Sequence, residues 1–69
     1  MKIATASWCA PCKTLKNRIE NSQIKVEYKD MDIDPNFFMQ NNIRTVPTLV
    51  TDDGEVIAGA VLIAEKLGL

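Results

Sequence analysis

SWCAPCK, residues 7–13, holds both cysteines of the chain and joins an apolar, strand-like run to a helical pattern. Only two residues separate Cys9 from Cys12, so oxidation closes a very small ring with little backbone rearrangement. A disulfide stabilises a fold most when it closes a long loop, which this spacing does not do. The spacing therefore indicates reversible redox chemistry rather than a structural cross-link.

A zinc site is the main alternative for two closely spaced cysteines. A structural zinc ion takes four ligands, whereas the chain offers two Cys and no His. The remaining possibility for zinc is an ion shared between two copies of the chain. In the reducing cytosol, a Cys pair at this spacing is more often catalytic or metal-binding than structural.

The composition limits the classes of protein that the chain can represent. Its 69 residues make one domain, and 46% apolar residues with a net charge of −1 suit a soluble globule. The chain has no basic excess for nucleic acid, no run long enough to span a membrane, and no leader of signal-peptide form after Met1. We therefore expect a cytoplasmic protein with neither nucleic-acid nor membrane partners.

Residues 2–28 have the pattern of a βαβ unit. Residues 2–6 form a short predicted strand that leads into the cysteine motif. Residues 10–22 follow as an amphipathic helix, with Pro11 in its first turn. Residues 23–28 alternate apolar and charged side chains, as a half-buried strand does. We expect two parallel strands joined by a helix, with the cysteines at the carboxyl end of the first strand.

The middle of the chain predicts a second helix and a β-hairpin. Asp34 is placed to cap a short helix over 35–41 or 35–42. Residues 45–51 have the β-branched density of a strand, with a proline near its entry. Asp-Gly at 53–54 supplies the positive φ angles of a tight hairpin, so 56–58 should return antiparallel.

Residues 60–67 form the predicted last helix, after a break at Gly59. Apart from Glu65 and Lys66 this helix is apolar on most sides. Either it packs on the sheet with a few exposed aliphatic residues, or one face is left for a partner. The predicted order is β-α-β-α-β-β-α, an α/β fold of one domain, residues 1–69, with a four-stranded mixed sheet flanked by helices.

Two motifs carry a resemblance to a known family. WCAPCK, residues 8–13, resembles the WCxPCK motif of thioredoxins, and TVPT, residues 45–48, resembles the cis-proline loop that faces that motif in thioredoxins and glutaredoxins. The hairpin and last helix follow in the family's order, so the resemblance covers nearly the whole chain. The chain shows no counterpart of the extra N-terminal strand and helix of full thioredoxins. It resembles a small thioredoxin-like dithiol oxidoreductase on a glutaredoxin-sized chain, with a minimal thioredoxin fold.

The placement of the cysteines predicts their roles. A sulfur at a helix N-terminus meets unpaired N–H groups, which favour its thiolate. Cys9 is expected to be that sulfur, exposed at the surface, and to attack a substrate disulfide. Cys12, one helical turn on and facing inward, would resolve the mixed disulfide. The redox-active Cys9–Cys12 pair is then the only redox group, and no cofactor or metal is expected.

The resemblance also implies a substrate surface around the cysteines. Trp8, Ala10 and Pro11 would form one part of an apolar rim, and the Val46-Pro47 edge the other. A cis Pro47 would turn the Val46 backbone toward the sulfurs, so that an extended substrate pairs with it. Without the resemblance, Trp8 would be taken as packing and Pro47 as an ordinary trans edge proline.

The chain departs from both branches of the family. Thioredoxins carry a buried carboxylate on the strand before the motif, yet residues 1–7 hold no acid. Asp30, at the end of the neighbouring strand, is a supporting candidate, with a solvated strand-end residue as the alternative. Lys13 is a second supporting candidate, through electrostatic support of the Cys9 thiolate, with a solvated helix charge as the alternative. Glutaredoxins resemble one another in a motif tyrosine and a Gly-Gly-x-Asp-like turn, both missing here.

These features together predict a monomeric thiol-disulfide oxidoreductase that reduces protein disulfides. Disulfide-containing client proteins are its expected partners, with ribonucleotide reductase as a client implied by the resemblance. The glutathione-binding signature is missing, so we expect an NADPH-dependent thioredoxin reductase rather than glutathione to restore the dithiol. Two alternatives are a non-enzymatic binding module of the same fold, acting through the apolar last helix, and a redox sensor without catalytic turnover.

Overall fold

The computed structural model describes residues 1–69, and its elements follow the predicted order β-α-β-α-β-β-α. The bounds are β1 Lys2–Thr5, α1 Ala10–Asn21, β2 Glu27–Asp30, α2 Pro35–Gln40, β3 Thr48–Val50, β4 Val56–Ala58 and α3 Ala60–Leu67. The predicted fold class is thereby confirmed. No helix combines the length and the apolar character that crossing a bilayer requires.

The four strands form one mixed sheet in the order β2-β1-β3-β4. The inner strand β1 pairs in parallel with β2, from Lys2 opposite Glu27 to Thr5 opposite Asp30. On its other side β1 pairs antiparallel with β3, and β3 pairs antiparallel with β4. Because β1 lies inside the sheet, the cysteine motif that follows it begins near the middle of the sheet's edge.

The apolar core lies on both faces of this sheet, because successive strand residues point to opposite sides. On one face α1 and α3 pack against the sheet through six buried residues: Ile3, Leu15, Ile19, Leu49, Ile63 and Ala64. On the other face Ala4 packs with Phe38 of α2 and with Ile43. The helix that carries the motif is therefore fixed by the larger of the two clusters.

Two strands are shorter than their sequence patterns predict, since a strand needs a partner along its length. The alternating burial expected for 23–28 is present, but β2 begins only at Glu27, which is paired with the first residue of β1. Likewise β3 begins at Thr48, opposite the last residue of β4, and not at Thr45. The lengths of β1 and β4 therefore limit β2 and β3, even where the local sequence favours a longer strand.

The turns also differ in detail from the prediction. The β3–β4 connection runs over residues 51–55, and the Thr51 amide donates to the Glu55 carbonyl at 2.9 Å across the three residues between them. Only Gly54 has a positive φ, 90°, so the predicted two-residue turn with two positive φ angles is wrong. Asp34 occupies the N-cap position of α2 as predicted, but its side chain makes no capping hydrogen bond.

Candidate active site

The start of α1 positions the cysteine motif. The Cys9 amide donates to the Ala6 carbonyl at 3.1 Å, which turns the chain sharply after β1. Cys9 is the N-cap residue of α1, with extended backbone angles, and Pro11 lies in the first turn. A proline is tolerated there because the first helical N–H groups have no intrahelical acceptor.

The two sulfurs form a disulfide across this first turn, with the Cα atoms 5.3 Å apart. The Cys9 Sγ also accepts the Cys12 backbone N–H at 3.2 Å, so a sulfur fills the place that a Ser or Asp oxygen occupies in an ordinary cap. This N–H and the positive end of the helix favour the thiolate form of Cys9 once the disulfide is reduced.

The expected difference in exposure between the two cysteines is wrong. Both are buried, each with 4% of its surface exposed, in a small cluster with Ala6. Val46 packs against that cluster, and its carbonyl oxygen lies 3.8 Å from the Cys9 Sγ. The segment before β3, far away in sequence, therefore covers the sulfur that the motif alone would leave at the surface.

The apolar rim around Cys9 has exposed and buried parts. Trp8 has 67% of its surface exposed, so it does not serve as core packing. Ala10 and Pro11 are exposed, and Val46 is half-buried. Pro47 is buried behind Val46, and the peptide bond between them is cis, as the resemblance implied.

Cys12 lines a separate cavity of about 380 Å³ on the α1 side of β1 and β2. Asp30, Lys13 and Lys16 line the same cavity, with Thr5, Ala6 and Ser7 completing it. An Asp30 carboxylate oxygen accepts the Asp32 amide N–H at 2.8 Å. The structure thus brings both supporting candidates to the cavity that Cys12 lines.

Lys16 is a site residue that the sequence analysis missed. Lys16 follows Cys12 by four residues, which places both side chains on one face of α1. This spacing could have predicted Lys16 as a neighbour of Cys12. Its Nζ also lies 4.9 Å from the centre of the Tyr28 ring. As for metals, no group of three or more His, Cys, Asp or Glu side chains is assembled to hold an ion.

Comparisons with known proteins agree with this geometry. The family profile described as "Thioredoxin domain" matches residues 1–68. Among curated proteins, thioredoxin H8 of Arabidopsis thaliana is 39% identical over 51 residues, which cover 67% of this chain and 34% of the relative. The matched region spans about a third of the length of that plant protein.

Proposed function

The chain belongs to the thioredoxin family, and from that premise we propose that it reduces disulfides of client proteins through a Cys9–Cys12 dithiol/disulfide cycle. The observation that carries the proposal is the Cys9 sulfur at the N-cap of α1, 3.2 Å from the Cys12 amide nitrogen. That arrangement stabilises a thiolate at the one sulfur that lies beside the Val46 backbone.

The proposed cycle passes two electrons to the client. The Cys9 thiolate attacks one client sulfur, the client disulfide breaks, and the released client thiolate takes up a proton. Cys12 then loses its proton and attacks the Cys9 sulfur of the mixed disulfide. The Cys9–Cys12 disulfide forms, and the second client thiolate leaves and is protonated. No cofactor enters, since the bond between Cys9 and Cys12 stores the oxidising equivalents.

We assign the rim residues to substrate binding. Trp8, Ala10 and Pro11 offer apolar surface beside the motif, with the Trp8 indole the largest part of it. The Val46 backbone lies beside the sulfur, where an extended client segment can pair with it as a short strand. Pro47, buried behind Val46, acts through the position of that backbone rather than by contact.

Asp30 is assigned to proton exchange with Cys12. A buried thiol must lose its proton before it can attack, and the cavity that Cys12 shares with Asp30 is large enough for water to connect the two groups. Lys13 and Lys16 on the same cavity would stabilise the negative charge that passes through it. Lys13 is thus assigned to Cys12 rather than to the Cys9 thiolate.

Insulin reduction in the presence of dithiothreitol tests the proposed function. The wild type should catalyse the reaction, and Cys9→Ser should abolish it. Cys12→Ser should accumulate the mixed disulfide with the client, because the first step remains and the second is lost. A binding module would keep its function in Cys9→Ser, and a redox sensor would show no turnover. Ribonucleotide reductase is the specific client that we propose to test next.

For the reductant, we propose an NADPH-dependent thioredoxin reductase rather than glutathione. Glutathione needs an acid for its amine as well as donors for its carboxylates, and the entry to α3, which holds Gly59, Ala60 and aliphatic side chains, supplies no acid. Consumption of NADPH with the oxidised protein as substrate should be faster with the reductase than in a couple of millimolar glutathione and glutathione reductase. Rapid turnover in the glutathione couple alone would overturn this assignment.

A further inference from the structure

A second cavity, of about 230 Å³, lies between α1 and the start of α3. It is lined by Pro11, Thr14, Leu15, Arg18, Ala60 and Val61, and we call it the α1–α3 groove. The three other α1 residues of the groove follow Pro11 by three, four and seven positions, so all four lie on one face of that helix. Cys12, Lys13 and Lys16 lie on a different face, so this groove is separate from the Asp30 cavity.

The groove is open and mainly apolar near the motif. Pro11 stands between the two cysteines in sequence and forms the end of the groove nearest to them. On the opposite wall, Val61 leaves 72% of its surface exposed, although it belongs to the helix that closes the core. A chain that leaves the sulfurs past Pro11 would therefore meet apolar surface on both sides.

The far end of the groove carries an unpaired positive charge. The ion pairs of the structure involve the N-terminal amine, Lys29 and Lys66, and none involves Arg18. No acidic residue stands three or four positions from Arg18 along α1. The first turn of α3, which forms the other wall, has no acidic residue either. The guanidinium group of Arg18 is thus free to pair with a carboxylate of another molecule.

The spacing fixes where that carboxylate should stand. Arg18 follows Pro11 by seven residues, which is about 10 Å along a helix axis at 1.5 Å per residue. An extended peptide advances about 3.3 Å per residue, so about three residues cover that distance. An acidic side chain three or four residues from the client cysteine would therefore reach Arg18.

We propose that the α1–α3 groove selects client proteins whose disulfide cysteine is followed by apolar residues and then by Asp or Glu three to four positions away. This inference rests on the proposed function and adds a substrate class to it. An exposed Arg–carboxylate pair is worth up to about 1 kcal/mol, which corresponds to at most about a fivefold preference.

The test compares two synthetic peptides, each joined through its cysteine to a small thiol. Both carry apolar residues after the cysteine, and they differ only in Glu or Gln at the fourth position. We expect the wild type to reduce the Glu peptide with a kcat/KM about threefold higher, through KM and not kcat, because the pair forms in the substrate complex. High salt should remove the difference, since it screens an exposed pair.

Variants assign that preference to Arg18. Arg18→Gln should treat the two peptides alike, and Arg18→Glu should favour the Gln peptide. Lys25→Gln is the matched control, because Lys25 is exposed and lies outside the groove. This substitution changes the net charge as Arg18→Gln does, and the variant should keep the wild-type preference. Arg18 is exposed, and unchanged circular dichroism would show that its variants fold.

Two failures are distinguishable. If the wild type reduces both peptides equally well, or if Arg18→Gln keeps the preference for Glu, the groove assignment is overturned while the proposed function stands. If the wild type reduces neither peptide nor insulin, the proposed function itself fails, and the groove has no client to select.

Discussion

Cys9 and Cys12 are equally buried, yet they differ in what surrounds each sulfur. Cys9 accepts an amide N–H at the start of α1 and lies beside the Val46 carbonyl, whereas Cys12 lines the cavity with Asp30. Accessibility in the oxidised protein therefore does not separate their roles. The difference arises at the start of α1, where the Cys12 amide N–H meets the Cys9 sulfur and favours a negative charge on it.

This difference predicts unequal alkylation after reduction. In Cys12→Ser, the remaining Cys9 thiol should react rapidly with iodoacetamide near neutral pH, because the amide N–H at the start of α1 favours its thiolate. In Cys9→Ser, the Cys12 thiol should react much more slowly. Mass spectrometry over time measures both rates, and equal rates would remove the assignment of Cys9 as the attacking sulfur.

The assignment of Asp30 predicts a change in the second step of the cycle. Asp30→Asn keeps an oxygen that can accept the Asp32 amide, but it removes the proton acceptor. We expect the mixed disulfide to persist longer, by about tenfold or more, because the second step loses its general base. Asp32→Asn, an exposed neighbour, is the control and should resolve the intermediate at the wild-type rate.

Tyr28 carries a buried hydroxyl with no hydrogen-bond partner. Burial raises the pKa of Tyr28 above its ordinary value of 10.0, and the negative charge of Glu20 raises it further. The unfolded chain therefore loses this proton at a lower pH than the folded chain does. It follows that the free energy of unfolding should fall as the pH rises above about 10, and should level off above the folded pKa.

Tyr28→Phe tests this account at two pH values. At neutral pH it removes an unpaired buried group, so the free energy of unfolding should rise by about 1 kcal/mol. The wild type should lose stability above about pH 10, the ordinary pKa of tyrosine. The variant should not show this loss. Denaturant titrations measure both effects, and a marked loss of stability at neutral pH would mean that the hydroxyl has a partner.

At the element scale, Gly59 connects the proposed substrate-binding edge to α3. Its amide donates to the Pro47 carbonyl at 3.0 Å, and its carbonyl accepts the Ile63 amide at 3.0 Å. Its φ of 101° lies in a region that side chains disfavour. Beyond its own chain neighbours, no atom lies within 4 Å of the position that a Cβ would take, so the cost of a side chain is a backbone cost alone.

Gly59→Ala and Gly54→Ala form a matched pair. Gly54 has a similar φ, 90°, and open space around it, but it lies in the β3–β4 turn. Each substitution should lower the free energy of unfolding by about 1–3 kcal/mol. Only Gly59→Ala should also lower insulin reduction at a temperature where both variants are folded. Equal activities would show that the α3 entry does not support the site.

At the scale of the whole molecule, one apolar cluster holds the motif in place. Ile63 of α3 is fully buried and belongs to the cluster that also contains Leu15 and Ile19 of α1 and Leu49 of β3. A chain of 69 residues has about 3–10 kcal/mol of stability in total. The stability lost with one such side chain is therefore a large fraction of the total free energy of unfolding.

Ile63→Ala should lower the free energy of unfolding by about 2–5 kcal/mol, because it leaves a cavity between the helices and the sheet. Val61→Ala, on the same helix but 72% exposed, should change it by less than about 0.5 kcal/mol. Chemical unfolding followed by circular dichroism measures both. Similar losses for the two variants would mean that α3 does not close the core in this way.

The sequence alone determined the order of the elements, the central place of the motif, and the pairing of Cys9 with Cys12. These features depend on short-range patterns: a period of two or four residues, a proline in a first turn, two cysteines one helical turn apart. Only the tertiary structure decided that β2 begins at Glu27, since the start of a strand depends on the length of its partner.

The tertiary structure also decided the surroundings of the site. Cys9 is buried because Val46, 37 residues further along, packs over it. Asp30 reaches the cavity of Cys12 because β2 ends opposite the last residue of β1. Arg18 and Val61 line the same groove because α1 and α3 pack on the same face of the sheet. Each of these contacts joins residues that no local period relates, and only the packing of the whole chain brings them together.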